Sequence, residues 1–182
     1  LAIARGISKD HWQSTTLKYI AVELFKQGQV EESASVIQEA LAIARGISDD
    51  YLKRHRLAAI AVEQFKQGRV EEALANARGI SNEVDKCNAL AVIAEELFKQ
   101  GRVEEALVIA RGITNEDDKC RALNYIAVEL SKQGRVEEAL VIARSLSKAN
   151  EKSSTLKDIA VELSKQGRVE ESLAIARGIT EV

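Results

Sequence analysis

The stretch Lys99-Gln100-Gly101-Arg102-Val103-Glu104-Glu105-Ala106-Leu107 returns with small changes around Gly28, Gly68, Gly134 and Gly167. A segment that recurs in this way predicts an array of like units, each burying its apolar face against its neighbours instead of around one closed core. The recurrence runs through all 182 residues, so 1–182 read as a single array. Leu1 to Ile7 match Leu41 to Ile47 and Leu173 to Ile179, and are expected to be the end of a truncated preceding repeat. With no methionine anywhere, the reading is of a fragment of a longer array.

Within each unit the apolar residues keep a helical period. Leu90, Ile93, Ala94 and Leu97 are spaced by three, one and three, and the set recurs from Leu17, Leu57, Leu123 and Leu156. That spacing predicts a long helix A with one buried face. The absence of proline and a 4% aromatic content, against 46% apolar residues rich in Ala, favour closely packed helices over a sheet. Ser8, Ser48, Ser81, Thr114 and Ser147 stand where a hydroxyl can accept from an orphan N–H of helix A, and acids follow as the helix dipole prefers.

After each Lys-Gln-Gly a helix B of about ten residues is expected. Its Gly46, Gly79, Gly112 and Gly178, each followed by an apolar residue, predict a left-handed stop. Ser145 holds that place in one unit and predicts earlier fraying there. Gly68, Gly101, Gly134 and Gly167 are 33 residues apart, but Gly28 and Gly68 are 40 apart, the excess lying around Ser33 to Glu39. Seven residues turn a helix about 700°, close to two full turns, so the insertion is expected to lengthen one helix B by about 10 Å and make it protrude without rotating its apolar face.

The chemistry the chain can carry is narrow. His11 and His55 are the only histidines, neither has a cysteine at ligand spacing, and no phosphate loop or nucleophile motif occurs, so neither an enzyme nor a cofactor or metal is expected. The repeated Glu104-Glu105 pairs are first-turn residues that suit a helix dipole. A formal net charge of −2 with 30% charged residues supplies no field for nucleic acid or an anionic membrane. No apolar run reaches the roughly 18 residues of a membrane span and no signal peptide is present, which reads as a soluble, cytoplasmic protein. Cys87 and Cys120 share a register one repeat apart, too far for a disulfide, and read as small buried residues in a reducing compartment.

On Leu90, Ile93, Ala94, Leu97, the inter-helix Gly101 and the small Ala106, the repeat resembles the tetratricopeptide repeat family. The resemblance implies an all-α fold: a right-handed α-solenoid of stacked antiparallel helix pairs, about five repeats, with a concave face formed by the A helices. It also implies a scaffold that binds a peptide or another protein segment there. By the same mapping the groove carries Thr15, Lys18 and Phe25, then His55 and Phe65, Asn88 and Phe98, Arg121 and Asn124, and Ser154 and Lys157. The Lys-with-Asn or Lys-with-Arg clamp that grips a C-terminal carboxylate has no match, since Lys18 is accompanied by Val22, Asn124 by Val128 and Lys157 by Val161.

Three points are open on the residues alone. The row Lys26, Lys66, Lys99, Lys132 and Lys165 is either an anion ladder or a set of solvated pairs with the Glu three residues earlier. Phe25, Phe65 and Phe98 either anchor a ligand or seal the junction between A helices. The row Thr15, His55, Asn88, Arg121 and Ser154 varies as a partner-reading surface would, and is the basis for an alternative single-stranded RNA reader; a structural spacer is a third reading. Leu1-Ala2-Ile3-Ala4 at one end and Leu173, Ile175 and Ile179 at the other are apolar surfaces that predict weak end-to-end self-association.

Overall fold

The computed structural model describes residues 1–179. Among these it is all helical: α1 (Ala2–Arg5), α2 (Asp10–Lys26), α3 (Val30–Gly46), α4 (Asp50–Lys66), α5 (Val70–Arg78), α6 (Glu83–Lys99), α7 (Val103–Arg111), α8 (Glu116–Lys132), α9 (Val136–Arg144), α10 (Ala149–Lys165) and α11 (Val169–Ile179). The even-numbered helices from α2 to α10 are the A helices, each 17 residues long. The odd-numbered helices after α1 are the B helices, 9 residues in α5, α7 and α9. The helical-hairpin repeat implied by the resemblance is present. The chain divides into two compact units, Leu1–Ile93 and Ala94–Val182, and the division falls inside α6.

In the first unit α2 pairs with α3, α4 with α5, and α4 rests on both α2 and α3. In the second, α8 pairs with α9, α10 with α11, and α10 rests on both α8 and α9. Alanines at the contacts, among them Ala21, Ala61, Ala94 and Ala127 on A helices and Ala73, Ala106 and Ala139 on B helices, are fully buried. Leucines and isoleucines such as Leu17, Ile93, Leu97, Ile126 and Leu130 fill the space between them. The short side chain lets the helix axes approach, and dispersion contacts follow from the approach.

The left-handed turn is at the end of helix A, not helix B. Gly28, Gly68, Gly101, Gly134 and Gly167 all have φ between 78° and 80°. At Gly101 the Arg102 N–H donates to the Leu97 carbonyl at 3.0 Å and the Gly101 N–H to the Phe98 carbonyl at 2.9 Å, the two bonds of a Schellman stop. The expected stop at Gly79 and Gly112 is therefore corrected: both have φ −78°, as ordinary helical residues do. Ser145 has φ −77°, and its hydroxyl donates to the Ile142 carbonyl at 2.7 Å, so the predicted fraying loses its cause. Helix B ends differently because Ile47 is extended, with φ −60° and ψ 127°, and is carried into the core, as are the corresponding Ile80, Ile113 and Leu146.

The helix A caps also lie one residue later than expected. Asp49 Oδ1 accepts from the Leu52 N–H at 2.8 Å, Asn82 Oδ1 from Asp85 at 3.1 Å and Asn115 Oδ1 from Asp118 at 3.0 Å. Lys9 and Lys148 occupy the same place in α2 and α10 and make no side-chain cap. Ser147 donates to Glu116 instead.

Helix α3 carries the insertion, and it does not protrude. Its 17 residues match the length of α2. The Ser33 hydroxyl donates to the Ala21 carbonyl at 2.6 Å and the Ser14 hydroxyl to the Ala40 carbonyl at 2.8 Å, so the two helices are joined antiparallel along most of their length. Ser33, Val36, Ile37, Ala40, Leu41 and Ala44 form one continuous buried face, as an insertion close to two turns requires. The added length covers the N-terminal half of α2, which a 9-residue helix would leave bare. Helix α1 also packs on α2, with Arg5 bonded to Glu39 at 2.9 Å and its carbonyl accepting from Gln13 at 2.8 Å.

Candidate functional site

The face shared by successive A helices holds a shallow depression in each unit. In the first, Lys18 of α2, His55 of α4 and Asn88 of α6 meet around about 320 Å³, over a floor that includes Ala58, Ala59, Val62, Ala89 and Val92. Three of the residues expected in the groove are thus brought together. His55 is held in place from two sides. Its Nδ1 lies 3.8 Å from Asp85 Oδ1, and the Tyr51 ring stands edge-on to it with centroids 4.2 Å apart. Asp85 is buried and its other oxygen takes Arg54 Nε at 2.5 Å. A buried carboxylate needs such a partner, and the pair fixes α4 against α6 next to the depression.

In the second unit, Arg121, Asn124, Tyr125 and Val128 of α8, Glu95 of α6 and Asp158 of α10 line about 400 Å³. Arg121 and Asn124, two of the residues named for the groove, lie together in this depression. Burial pushes the Glu95 carboxyl above its ordinary pKa, with Arg121 pulling the other way. Burial likewise raises the Tyr125 hydroxyl. The Asn124 Oδ1 is buried without a hydrogen-bond partner. Lys157 stands exposed on α10, its Nζ 3.5 Å from Asp158, and does not line the depression.

The phenylalanines need a correction. Phe65 is 0% and Phe98 3% exposed, so neither offers a ring to a ligand, while Phe25 is half-buried and lines neither depression. For Phe98 the ring contact fits the sealing role, of the two weighed. The Phe98 ring meets Tyr125 of the next A helix in a T-shape with centroids 6.3 Å apart, and Lys99 stands 5.7 Å from the same Tyr125 ring.

The lysine row resolves into pairs. Lys26, Lys66, Lys99, Lys132 and Lys165 bond Glu23, Glu63, Glu96, Glu129 and Glu162 at 2.7, 3.3, 2.6, 2.6 and 3.3 Å. At the start of the B helices Arg69, Arg102, Arg135 and Arg168 each engage the second Glu of the Glu-Glu pair: Glu72, Glu105, Glu138 and Glu171. The hydrogen bond from its arginine lowers the pKa of Glu105, Glu138 and Glu171. These carboxylates are structural. Among the described residues no group of three or more potential ligands could hold a metal ion. Cys87 and Cys120 are buried and joined in no disulfide, and burial raises the Cys120 thiol. No described helix is long and apolar enough to cross a membrane.

Asp85 and Tyr125 were not singled out from the sequence, because both look like routine surface residues of helix A. The signal lay in the register: Asp85 falls where α4 has Leu52, and Tyr125 where α4 and α6 have Ala59 and Val92. A further recess, of about 470 Å³, lies among α9, α10 and α11, lined by Leu140, Leu156 and Ile175 together with Glu137, Arg144, Lys152 and Glu171.

No family model matches the chain, and no curated protein matches it at a significant level. Among solved structures, one from Podosopora anserina, described as a kinesin light chain with nearly identical TPR-like repeats, is similar to this chain over 92% of each, at 13% identity and a TM-score of 0.46.

Proposed function

We propose that this repeat array is a binding scaffold and not a catalyst, and that it takes an extended or helical segment of another protein on the face of its A helices. The observation that supports this reading is the meeting of Lys18, His55 and Asn88 from three successive A helices over an alanine and valine floor. An apolar floor with a few placed polar groups suits a peptide backbone and small side chains. The RNA reading finds no support in the lysine row, whose charges are each matched by a glutamate. Two buried thiols outside any disulfide suit a reducing compartment such as the cytoplasm.

Selection from a displayed random-peptide library, followed by calorimetric titration of the selected peptide, tests the reading. His55→Glu combined with Asn88→Lys is expected to weaken binding about tenfold or more, while Val108→Ser on the exposed side of α7 leaves it unchanged. Equal affinity in all three proteins would exclude the A-helix face. Tight, saturable binding of single-stranded RNA that falls steeply with salt would replace the proposal altogether.

A further inference from the structure

The depression of the second unit departs from the pattern of the repeats at Glu95. The register of Glu95 is filled on the other A helices by Val22, Val62, Val128 and Val161. Glu95 is half-buried, which strips hydration from its carboxylate, and its pKa is raised for that reason. The cations whose charge reaches it, Arg121 and Lys99, are bonded to other acids, Arg121 to Asp118 at 3.1 Å and Lys99 to Glu96 at 2.6 Å. An acid in place of a valine, with the neighbouring cations engaged elsewhere, works against stability and is not explained by packing.

Three further residues of the same depression have a matching character. Asp158 lies in the register of Val92 and Tyr125, and its partner Lys157, at 3.5 Å, is outside the depression. Asn124 has its Oδ1 buried with no hydrogen-bond partner, an unmade bond that a donor placed in the depression can complete. The Tyr125 ring, which already takes Lys99 at 5.7 Å, is a surface that attracts a cation. The two cations that line the depression are both engaged, Arg121 by Asp118 and Lys132 by Glu129 at 2.6 Å. The balance is an excess of acceptors, two carboxylates and an amide oxygen beside an aromatic ring, around about 400 Å³.

We propose that this depression receives the guanidinium of an arginine on the segment bound by the A-helix face, held by Glu95 and Asp158 together with the Asn124 oxygen. The proposal rests on the binding-scaffold reading and names one side chain of its ligand. A guanidinium carries five donors in one plane, enough for two carboxylates and an amide, and it stacks on a phenol ring. It is also more weakly hydrated than an ammonium, so it enters a half-buried site at lower cost than a lysine does. Val128 lines the depression as well and suits the methylene stem of such a side chain.

Titration of the isotope-labelled whole chain with N-acetyl-arginine methylamide, followed by NMR amide shifts, tests this. The citrulline analogue, a neutral isostere, and the lysine analogue are the comparison probes. The arginine probe is expected to shift the amides of Glu95, Arg121, Asn124, Tyr125 and Asp158 saturably at millimolar concentration. The other two are expected to bind about tenfold or more weakly. Glu95→Val restores the residue that the other A helices carry, so its circular dichroism should match the wild type. Both it and Glu95→Gln, which keeps the size and removes the charge, are expected to weaken the arginine probe about tenfold or more. An arginine probe that leaves these amides unmoved, binds both variants as it binds the wild type, or is matched by the citrulline or lysine analogue would overturn the proposal. The scaffold reading fails separately, when no displayed peptide binds. Displayed peptides that bind the A-helix face while the arginine probe fails at Glu95 would retain that reading and remove the arginine alone.

Discussion

Gly101 and Gly46 look alike in a sequence and differ in what they do. At Gly101 the backbone has φ +79°, and a Cβ would meet nothing within 4 Å, so the cost of any side chain is conformational alone. Gly101→Ala is expected to lose about 1–2 kcal/mol. Gly46 closes α3 without a positive φ, is exposed, and also has open space where a Cβ would go. There Gly46→Ala is expected to gain about 0.4–1 kcal/mol by restricting the unfolded chain. Urea unfolding of the two variants measures both signs, and a loss at Gly46 as large as that at Gly101 would contradict the assignment of turns. At this scale the residue types were legible and their offsets were not. A cap at Ser48 and a cap at Asp49 satisfy the same local rule, and the choice is made by where the preceding Ile47 enters the core. For Phe65 and Phe98 the sequence left two roles open, since the side chain that covers a ring comes from a helix about 30 residues away.

Helix α3 is the element on which sequence and structure part. The near-integral number of turns in the insertion was legible and holds, with one buried face from Ser33 to Ala44. The protrusion was not, because it depended on the length of α2, whose N-terminal half has room for a longer partner. The consequence can be measured. Deleting residues 33–39 is expected to leave a folded, helical protein, destabilised by the loss of the Ser14–Ala40 and Arg5–Glu39 contacts. Deleting five residues, 33–37, turns the remainder of the helix by about 500°, roughly 140° past a full turn, and points Ala40, Leu41 and Ala44 away from α2. That variant is expected to lose cooperative unfolding in the repeats around α3. Circular dichroism melts that rank the two deletions the other way would show that register does not hold this helix.

For the whole molecule the periodicity disclosed the array, its helix pairs and their small-residue contacts, but neither depression, since each combines residues from three A helices. Stability in such an array accumulates from neighbour to neighbour, so protection should follow burial along the chain. Helix α8 buries Cys120, Ala122, Leu123, Ile126, Ala127, Leu130 and Ser131, and α11 buries none. Hydrogen exchange read by mass spectrometry is expected to find the slowest amides in α8 and the fastest among the long helices in α11. Uniform protection would mean that the repeats open together. The ion pairs have a different reach. Each Lys–Glu and Arg–Glu pair cancels within about one helical turn, and beyond a Debye length of about 8 Å an approaching molecule meets almost no field. A segment bound as proposed would arrive by unguided diffusion, at about 10⁵–10⁶ M⁻¹s⁻¹, and selectivity would then rest on how long it stays.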